Sequence, residues 1–362
     1  MGVFEAIGTA THEQVVFGHD PASGLKTIIA IHSTALGPAL GGTRFFMYSN
    51  EQEALHDVLR LSAGMSLKSA AAGLDLGGGK AVIIGDPDQH KTEHLLRAYG
   101  RVVDSVGGRY ITAEDVGTTT GDMVMIRRET EHVAGLSIEH GGSGDPSPAT
   151  ARGVMAALQQ LAVRLWGDEE LADRTIAIQG VGKVGTSLAE RLTKAGATVV
   201  ACDVNDAALE KVHREYGTTI VATDEIWDVD CDVFSPCAMG GALNEQTIPR
   251  LRCEAVVGAA NNQLATPEDA NRLADRGITY VPDFVANAGG VINIAHEAGG
   301  YDWQKAAAAV DAIAANVACV FRVADSDGID PATAAVRMAE ERIETIGGLK
   351  TRMSPGGDLE RC

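Results

Sequence analysis

The sequence has few aromatic residues, 4% of the total, and little positive charge, with 30 Lys and Arg against 49 Asp and Glu. A net charge of −19 excludes a phosphate backbone as partner, because nucleic-acid binding draws on basic patches and stacking platforms. A basic membrane-surface helix is excluded for the same reason. No run of 18 apolar residues occurs, and the opening stretch MGVFEAIGTATHEQ has neither a basic n-region nor an apolar h-region, so the expected compartment is the cytoplasm. The six cysteines form no CxxC and read as reduced structural thiols. His12-Glu13 and His296-Glu297 each begin an HE pair, but neither continues to a second His at i+4, so no metal site is expected.

What the chain has in excess is glycine, 42 of 362 residues, against a usual share of about 7%. A collagen-like period is absent, and a 45% hydrophobic share is enough for a sizeable core. The length fits one large or two ordinary domains.

The first part of the chain mixes strands (Val15–Phe17, Thr27–His32, Ala81–Ile84, Tyr110–Thr112) with helices at Glu51–Ala63 and Thr92–Val106, the latter capped by Thr92. GGSGDPSPAT, at Gly141–Thr150, is a boundary, since Gly, Ser and Pro disfavour regular structure there. Beyond it strands at Thr175–Gln179, Thr198–Asp203, Thr219–Val221, Val233–Ser235, Ala255–Gly258 and Thr279–Pro282 alternate with helical segments. That rhythm predicts an α/β fold with a doubly wound parallel sheet. One long alanine-rich helix is expected over Trp303–Ala324 and another over Pro331–Thr345.

GVGKVG at Gly180–Gly185 follows the apolar strand TIAIQ and opens a helix, and the next strand ends in Asp203, eighteen positions after Gly185. In this context the glycines make a tight turn, a backbone approach to a pyrophosphate and close helix packing, and the acid receives ribose hydroxyls while repelling a 2′-phosphate. The expected cofactor is NAD. GGGK at Gly77–Lys80 is not a phosphate loop, because Leu74 and Ala81 stand where that motif requires Gly and Ser/Thr.

Lys68 in GMSLKSAAAGL and Lys80 in LDLGGGKAVII lie in apolar, glycine-rich surroundings. Such a lysine loses hydration, which favours its neutral form and suits it to acid–base work, although either one alone reads equally as a snorkelling surface residue. Asp115, in ITAEDVGT, follows a strand at a glycine-bearing loop, where catalytic carboxylates are displayed. Its neighbour Glu114 is expected to point the other way, as adjacent residues of an extended segment do.

ALGPALGGTRF at Ala35–Phe45, GMSLK, GLDLGGGKAVI, ITAEDVGT, GGSGDPSPAT, SPCAMGG at Ser235–Gly241, GAANNQ at Gly258–Gln263 and PDFVANAGGVIN at Pro282–Asn293 together resemble the NAD-dependent Glu/Leu/Phe/Val amino acid dehydrogenases, most closely the leucine and valine enzymes. The resemblance implies a substrate-binding and oligomerisation domain over residues 1–147, with the C-terminal helix 331–346 packing back on it. It further implies a Rossmann NAD-binding domain over 148–330, a cleft between the two, a disordered tail at 347–362 and a homo-oligomer. Lys68 would bind the substrate α-carboxylate, Lys80 would serve with water as acid/base, and Asp115 would relay protons at the amino group. Thr150 and Asn262 would hold the nicotinamide region, Asn262 also reaching substrate. The glycine loop with its intervening Val181, Lys183 and Val184, and also Asp203, Val204, Cys237, Ala238, Met239 and Ala260, would line the dinucleotide. Gly41 and Gly42 match backbone against the substrate, where a Cβ would intrude. Asn287 either faces substrate or supports the groups that do, or it caps the following helix.

The resemblance places side-chain specificity at Leu40, Met65, Ala113, Val291 and Ile294, all apolar. A buried, unpaired carboxylate costs several kcal/mol against such groups, so glutamate is rejected and a branched-chain aliphatic L-amino acid is the expected substrate, converted reversibly to its 2-oxo acid and ammonium. Leucine, valine and isoleucine differ too little for these residues to separate them. Two other readings stay open, a phenylalanine dehydrogenase and a catalytically silent NAD-binding regulatory protein.

Overall fold

The structure, a computed structural model, describes residues 3–353. They fall into two compact units. One holds the chain up to Asp145, Ile294–Tyr301 and the residues from Met338, and the other holds Pro146–Asn293 and Asp302–Arg337.

The first unit contains α1 (Val3–Ala10), β1 (Gln14–Asp20), β2 (Leu25–Ser33), β3 (Ala39–Phe46), α2 (Glu51–Ala71), β4 (Gly77–Ile84), α3 (Pro87–His90), α4 (Glu93–Asp104), β5 (Tyr110–Glu114) and α5 (Thr120–Ile126). Its five strands are ordered β1-β2-β4-β3-β5, and β3 runs parallel to both of its neighbours. Strand alternation gives the sheet two apolar faces. Ile29, Ile31, Phe45, Ala81 and Ile83 pack with Leu95, Leu96, Tyr99 and Val103 of α4. On the other face Ile28, Ala30 and Val82 pack with Ala54, Leu55, Val58 and Leu59 of α2. Each large side chain buried in this way contributes roughly 1.5–3 kcal/mol. Thr92 caps α4 by accepting from Leu95 N–H at 3.1 Å, as the sequence predicts. His12 and His32 fasten α2 through Ser62 at 2.7 Å and Ser66 at 2.8 Å.

The sequence placed the strand start at Ala81, after the glycine cluster, whereas β4 begins at Gly77 and includes it. The glycines answer to crowding, not to a turn. A Cβ at Gly78 would lie 2.1 Å from Ser66 N of α2, and one at Gly79 would lie 2.7 Å from the Tyr110 ring.

The second unit contains α6 (Ser147–Trp166), β6 (Thr175–Gln179), α7 (Lys183–Lys194), β7 (Thr198–Cys202), α8 (Asp206–Tyr216), β8 (Thr219–Ile220), β9 (Val233–Pro236), β10 (Ala255–Val256), α9 (Glu268–Asp275), β11 (Thr279–Tyr280), α10 (Asp283–Ala286), α12 (Trp303–Asp311) and α13 (Ile313–Asp327); α11 (Gly289–Ala295) and α14 (Pro331–Met353) carry residues of both units. The sheet order is β11-β10-β9-β6-β7-β8, parallel throughout. Strand order therefore reverses between β6 and β9, which in open α/β sheets marks the ligand-binding edge.

Two helical expectations need correction. The single helix expected over Trp303–Ala324 is two, divided at Ala312, and Ala306, Val310, Ile313, Val317 and Phe321 bury their apolar side chains. By composition this stretch is apolar and long enough to cross a membrane, but here it packs on α6. The second expectation ended the last helix at 346 and began a disordered tail at 347, but α14 continues to Met353. The rest of that expected tail, 354–362, lies outside the described residues. Within the first unit Ala339 and Ile343 of α14 pack with Leu36 and Ala70, and Arg342 donates to the Gly73 carbonyl at 3.0 Å.

Candidate active site

On the α2-covered face of the first sheet, alternation sets Leu40, Gly42 and Arg44 of β3 beside Gly78 and Lys80 of β4 and Ala113 of β5. Asp115 follows one residue past β5. Helix α2 lies directly on β4 at Gly78 and carries Met65 and Lys68, both half-buried, on either side of Ser66.

Lys80 is buried, and its Nζ lies 2.7 Å from Asp115 Oδ2. The two residues come from strands on opposite sides of β3, so the contact crosses β3, where Gly42 has no side chain to obstruct it. A Cβ at Gly42 would sit 2.8 Å from Asp115 Cβ and 2.4 Å from the Glu114 carbonyl oxygen. At Gly41 a Cβ would run into the Gly79 carbonyl oxygen at 1.8 Å. Neighbouring backbone and Asp115 thus by themselves require glycine at both positions.

The Asp115 loop is pinned. Its N–H donates to Thr118 Oγ1 at 2.9 Å, and the Thr118 hydroxyl lies 2.8 Å from the Thr43 carbonyl oxygen, to which it donates. Glu114 turns away as expected, accepting from the Thr120 hydroxyl at 2.9 Å. Burial pushes the Asp115 carboxyl up, but the Lys80 ammonium and Arg44 guanidinium together outweigh that effect and hold it below the usual carboxylate range.

Sequence reasoning did not single out the charges behind this pair. Arg44 Nε lies 3.3 Å from Asp115 Oδ2, and its NH1 donates to Asp57 Oδ2 on α2 at 2.8 Å. Asp57 also accepts from Tyr48 Oη at 2.8 Å and from Arg60 at 3.0 Å. Only the strand parity that Arg44 shares with Leu40 and Gly42 could have signalled it. Leu40 and Ala113 are buried apolar positions on the same face. Val291 belongs to the other unit, while Ile294, one turn later on α11, returns to the first.

In the second unit the glycine loop sits at the switch point. Gly180 has φ +99°, and a Cβ there would meet Ala238 Cβ at 2.7 Å, beyond the end of β9. A Cβ at Gly185 would strike the Gly180 carbonyl oxygen at 2.0 Å, so the protein itself requires both glycines. Gly182 differs. It is the N-cap of α7 with φ −63°, and nothing lies within 4 Å of where its Cβ would be. Val181 N–H donates to Asp203 Oδ2 at 2.6 Å, and Asn205 N–H donates to Asp203 Oδ1 at 2.8 Å. The Asp203 carboxylate thus anchors the loop.

Around this loop, Cys237 N–H donates to the Gln179 carbonyl at 2.8 Å and Ala260 N–H to the Pro236 carbonyl at 2.9 Å. Burial pushes the Cys237 thiol up, which keeps it protonated and unreactive. Asn287 spends its Nδ2 on the Ala259 carbonyl at 3.1 Å and on Asn261 Oδ1 at 2.9 Å. Its buried Oδ1 has no hydrogen-bond partner among the described residues, so the side chain does not cap α11. Asn262, close by in sequence, is held at φ +52°. Thr150, in the first turns of α6, donates to the Pro146 carbonyl at 3.0 Å and lies where a Cβ at Gly290 would intrude, 2.7 Å from its Oγ1. Lys183 and Val184 open α7, while Val204 and Met239 are exposed. An open-sided glycine at a helix N-terminus and an acid at the next strand end fit a dinucleotide.

Comparison with known proteins gives a consistent picture. The family described as Glu/Leu/Phe/Val dehydrogenase, dimerisation domain, matches residues 12–132, and the one described as Glutamate/Leucine/Phenylalanine/Valine dehydrogenase matches 141–211 and 203–344. The chain is 49% identical to a leucine dehydrogenase of Geobacillus stearothermophilus over 96% of its length and 94% of the relative's. It is 52% identical to a valine dehydrogenase of Streptomyces coelicolor over 92% of each. Among solved structures, L-tryptophan dehydrogenase from Nostoc punctiforme superposes with a TM-score of 0.84 at 42% identity, over 95% of this chain and 99% of that one.

Proposed function

This chain belongs to the Glu/Leu/Phe/Val dehydrogenase family, and from that premise we propose that it catalyses reversible, NAD-dependent oxidative deamination of a branched-chain aliphatic L-amino acid. The observation that carries the reading is the contact of buried Lys80 with half-buried Asp115, at 2.7 Å, on a face lined by Leu40 and Ala113. The first unit is then the substrate domain and the second the NAD domain.

When bound, NAD+ accepts the Cα hydride. The α7 N-terminus and open-sided Gly182 would hold its pyrophosphate and Asp203 its ribose, and the proton transfers fall to side chains of the first unit. Lys68, charged throughout, binds the α-carboxylate. Asp115 takes a proton from the substrate ammonium, leaving the neutral amine that hydride departure requires. Lys80 first releases its ammonium proton to solvent, which is the net proton of the reaction, and as the neutral amine removes a proton from the water that attacks the iminium carbon, while Asp115 returns its proton to the departing amine. Amino acid, NAD+ and water give 2-oxo acid, ammonium, NADH and a proton. Buried Leu40 and Ala113 offer nothing to pair a side-chain carboxylate, which favours an aliphatic guest.

The test is a panel of L-leucine, L-valine, L-isoleucine, L-phenylalanine, L-tryptophan and L-glutamate with NAD and with NADP at alkaline pH, followed by absorbance of the reduced cofactor. The aliphatic three with NAD should lead, whereas preference for glutamate or an aromatic would overturn the specificity. Absence of reduced cofactor in every well would overturn the activity.

A further inference from the structure

Asp115 has two cationic partners on a single oxygen. Lys80 lies 2.7 Å from Oδ2 and Arg44 Nε lies 3.3 Å from the same atom, while Arg44 NH1 is held by Asp57 at 2.8 Å. Lys80 comes from β4 and Arg44 from β3; Asp57, Lys68 and Arg60 come from α2, and Tyr48 lies between β3 and α2 and donates to Asp57. Glu114 is engaged with Thr120.

The two cations are not equivalent. In the proposed reaction, on which this argument rests, Lys80 passes between charged and neutral forms, so Asp115 loses part of its counter-charge once in each turnover. A guanidinium keeps its proton under all working conditions. We infer that Arg44 is the positioning residue of the reaction: bridging Asp57 and Asp115, it fixes the Asp115 carboxylate and supplies a permanent counter-charge while Lys80 cycles. Its planar fork engages the two carboxylates through different nitrogens, which a single ammonium cannot do. Asp57, held in turn by Tyr48 and Arg60, anchors the fork to α2, the helix that carries Lys68.

The experiment compares wild type, Arg44→Gln and Arg44→Lys in pH profiles of kcat/KM for L-leucine with NAD. NAD affinity and carboxyl-carbon NMR titration of Asp115 in the free protein serve as readouts independent of turnover. Loss of the fixed charge makes neighbouring groups harder to deprotonate. Arg44→Gln should therefore move the acid limb up by about one pH unit, move the Asp115 titration in the same direction, lower kcat at least about tenfold and leave NAD affinity unchanged. Arg44→Lys should restore the limb while kcat stays several-fold low. A purely structural role lowers activity without moving the limb or the titration, and that result overturns the inference. If Arg44→Gln does not fold, Arg44→Lys decides, and wild-type kcat in that variant overturns it. Wild type without turnover on any amino acid overturns the functional reading and the inference with it, whereas an active wild type and an unshifted Arg44→Gln profile overturn the inference alone.

Discussion

Lys80 Nζ and Asp115 Oδ2 meet at 2.7 Å across β3, and Gly42 is the gap through which they meet. The pair joins a buried lysine to a half-buried carboxylate, and its value depends on both members being ionised.

Asp115→Asn leaves Lys80 buried without its carboxylate and should destabilise the protein by on the order of 3 kcal/mol at neutral pH. The dependence on pH has a definite sign. A carboxyl held below its ordinary value contributes stability that is present above about pH 3.9 and lost as pH falls through the lowered value. The difference in Tm between wild type and Asp115→Asn should therefore be constant near neutrality and shrink below about pH 4. A difference that persists unchanged to pH 2 would show that the pair does not carry it.

The glycine loop separates folding from binding. Gly180→Ala forces a side chain onto φ +99° against Ala238 and should cost about 2 kcal/mol or more. Gly182→Ala meets open space, so loss of a favourable N-cap and reduced unfolded-state entropy nearly cancel, leaving stability within about 1 kcal/mol of wild type. NAD affinity should nevertheless fall at least about tenfold, because the new methyl occupies the approach to the pyrophosphate. Calorimetry on both variants checks this pair, and unchanged NAD affinity in Gly182→Ala would remove the dinucleotide from that loop.

Much of the second unit was legible because its strands are short apolar runs bounded by helices and turns. Thr175–Gln179 was predicted to the residue, and the strand ending at Asp203 to within one. In the first unit β3 was missed, since Gly41, Gly42, Thr43 and Arg44 carry no apolar alternation, and β4 was shortened because three glycines read as a turn when contacts with Ser66 and Tyr110 require them. Lys80 and Asp115 stood out in sequence as a lysine in apolar surroundings and an acid after a strand. Arg44 and Asp57 did not, because only strand parity and the seating of α2 bring them to Asp115. Asn287 was left between a supporting or substrate-facing role and a helix cap; its Oδ1 makes no cap bond, and its Nδ2 holds the Ala259–Asn261 loop.

Asp203 is half-exposed and holds Val181 N–H at 2.6 Å, leaving its charge beside the loop. Asp203→Ser should keep the loop's hydrogen-bond capacity but remove the repulsion of a 2′-phosphate. The NAD-to-NADP ratio of kcat/KM should fall at least about tenfold. An unchanged ratio would assign cofactor choice elsewhere.

The most direct measurement pairs L-leucine turnover with NAD affinity in wild type and Lys80→Ala. Lys80 belongs to the first unit and the dinucleotide loop to the second. NADH formation should fall at least about a thousandfold in the variant while the NAD Kd stays within about twofold of wild type. Retention of more than a small fraction of turnover by Lys80→Ala would contradict the assignment of Lys80 as the acid–base group.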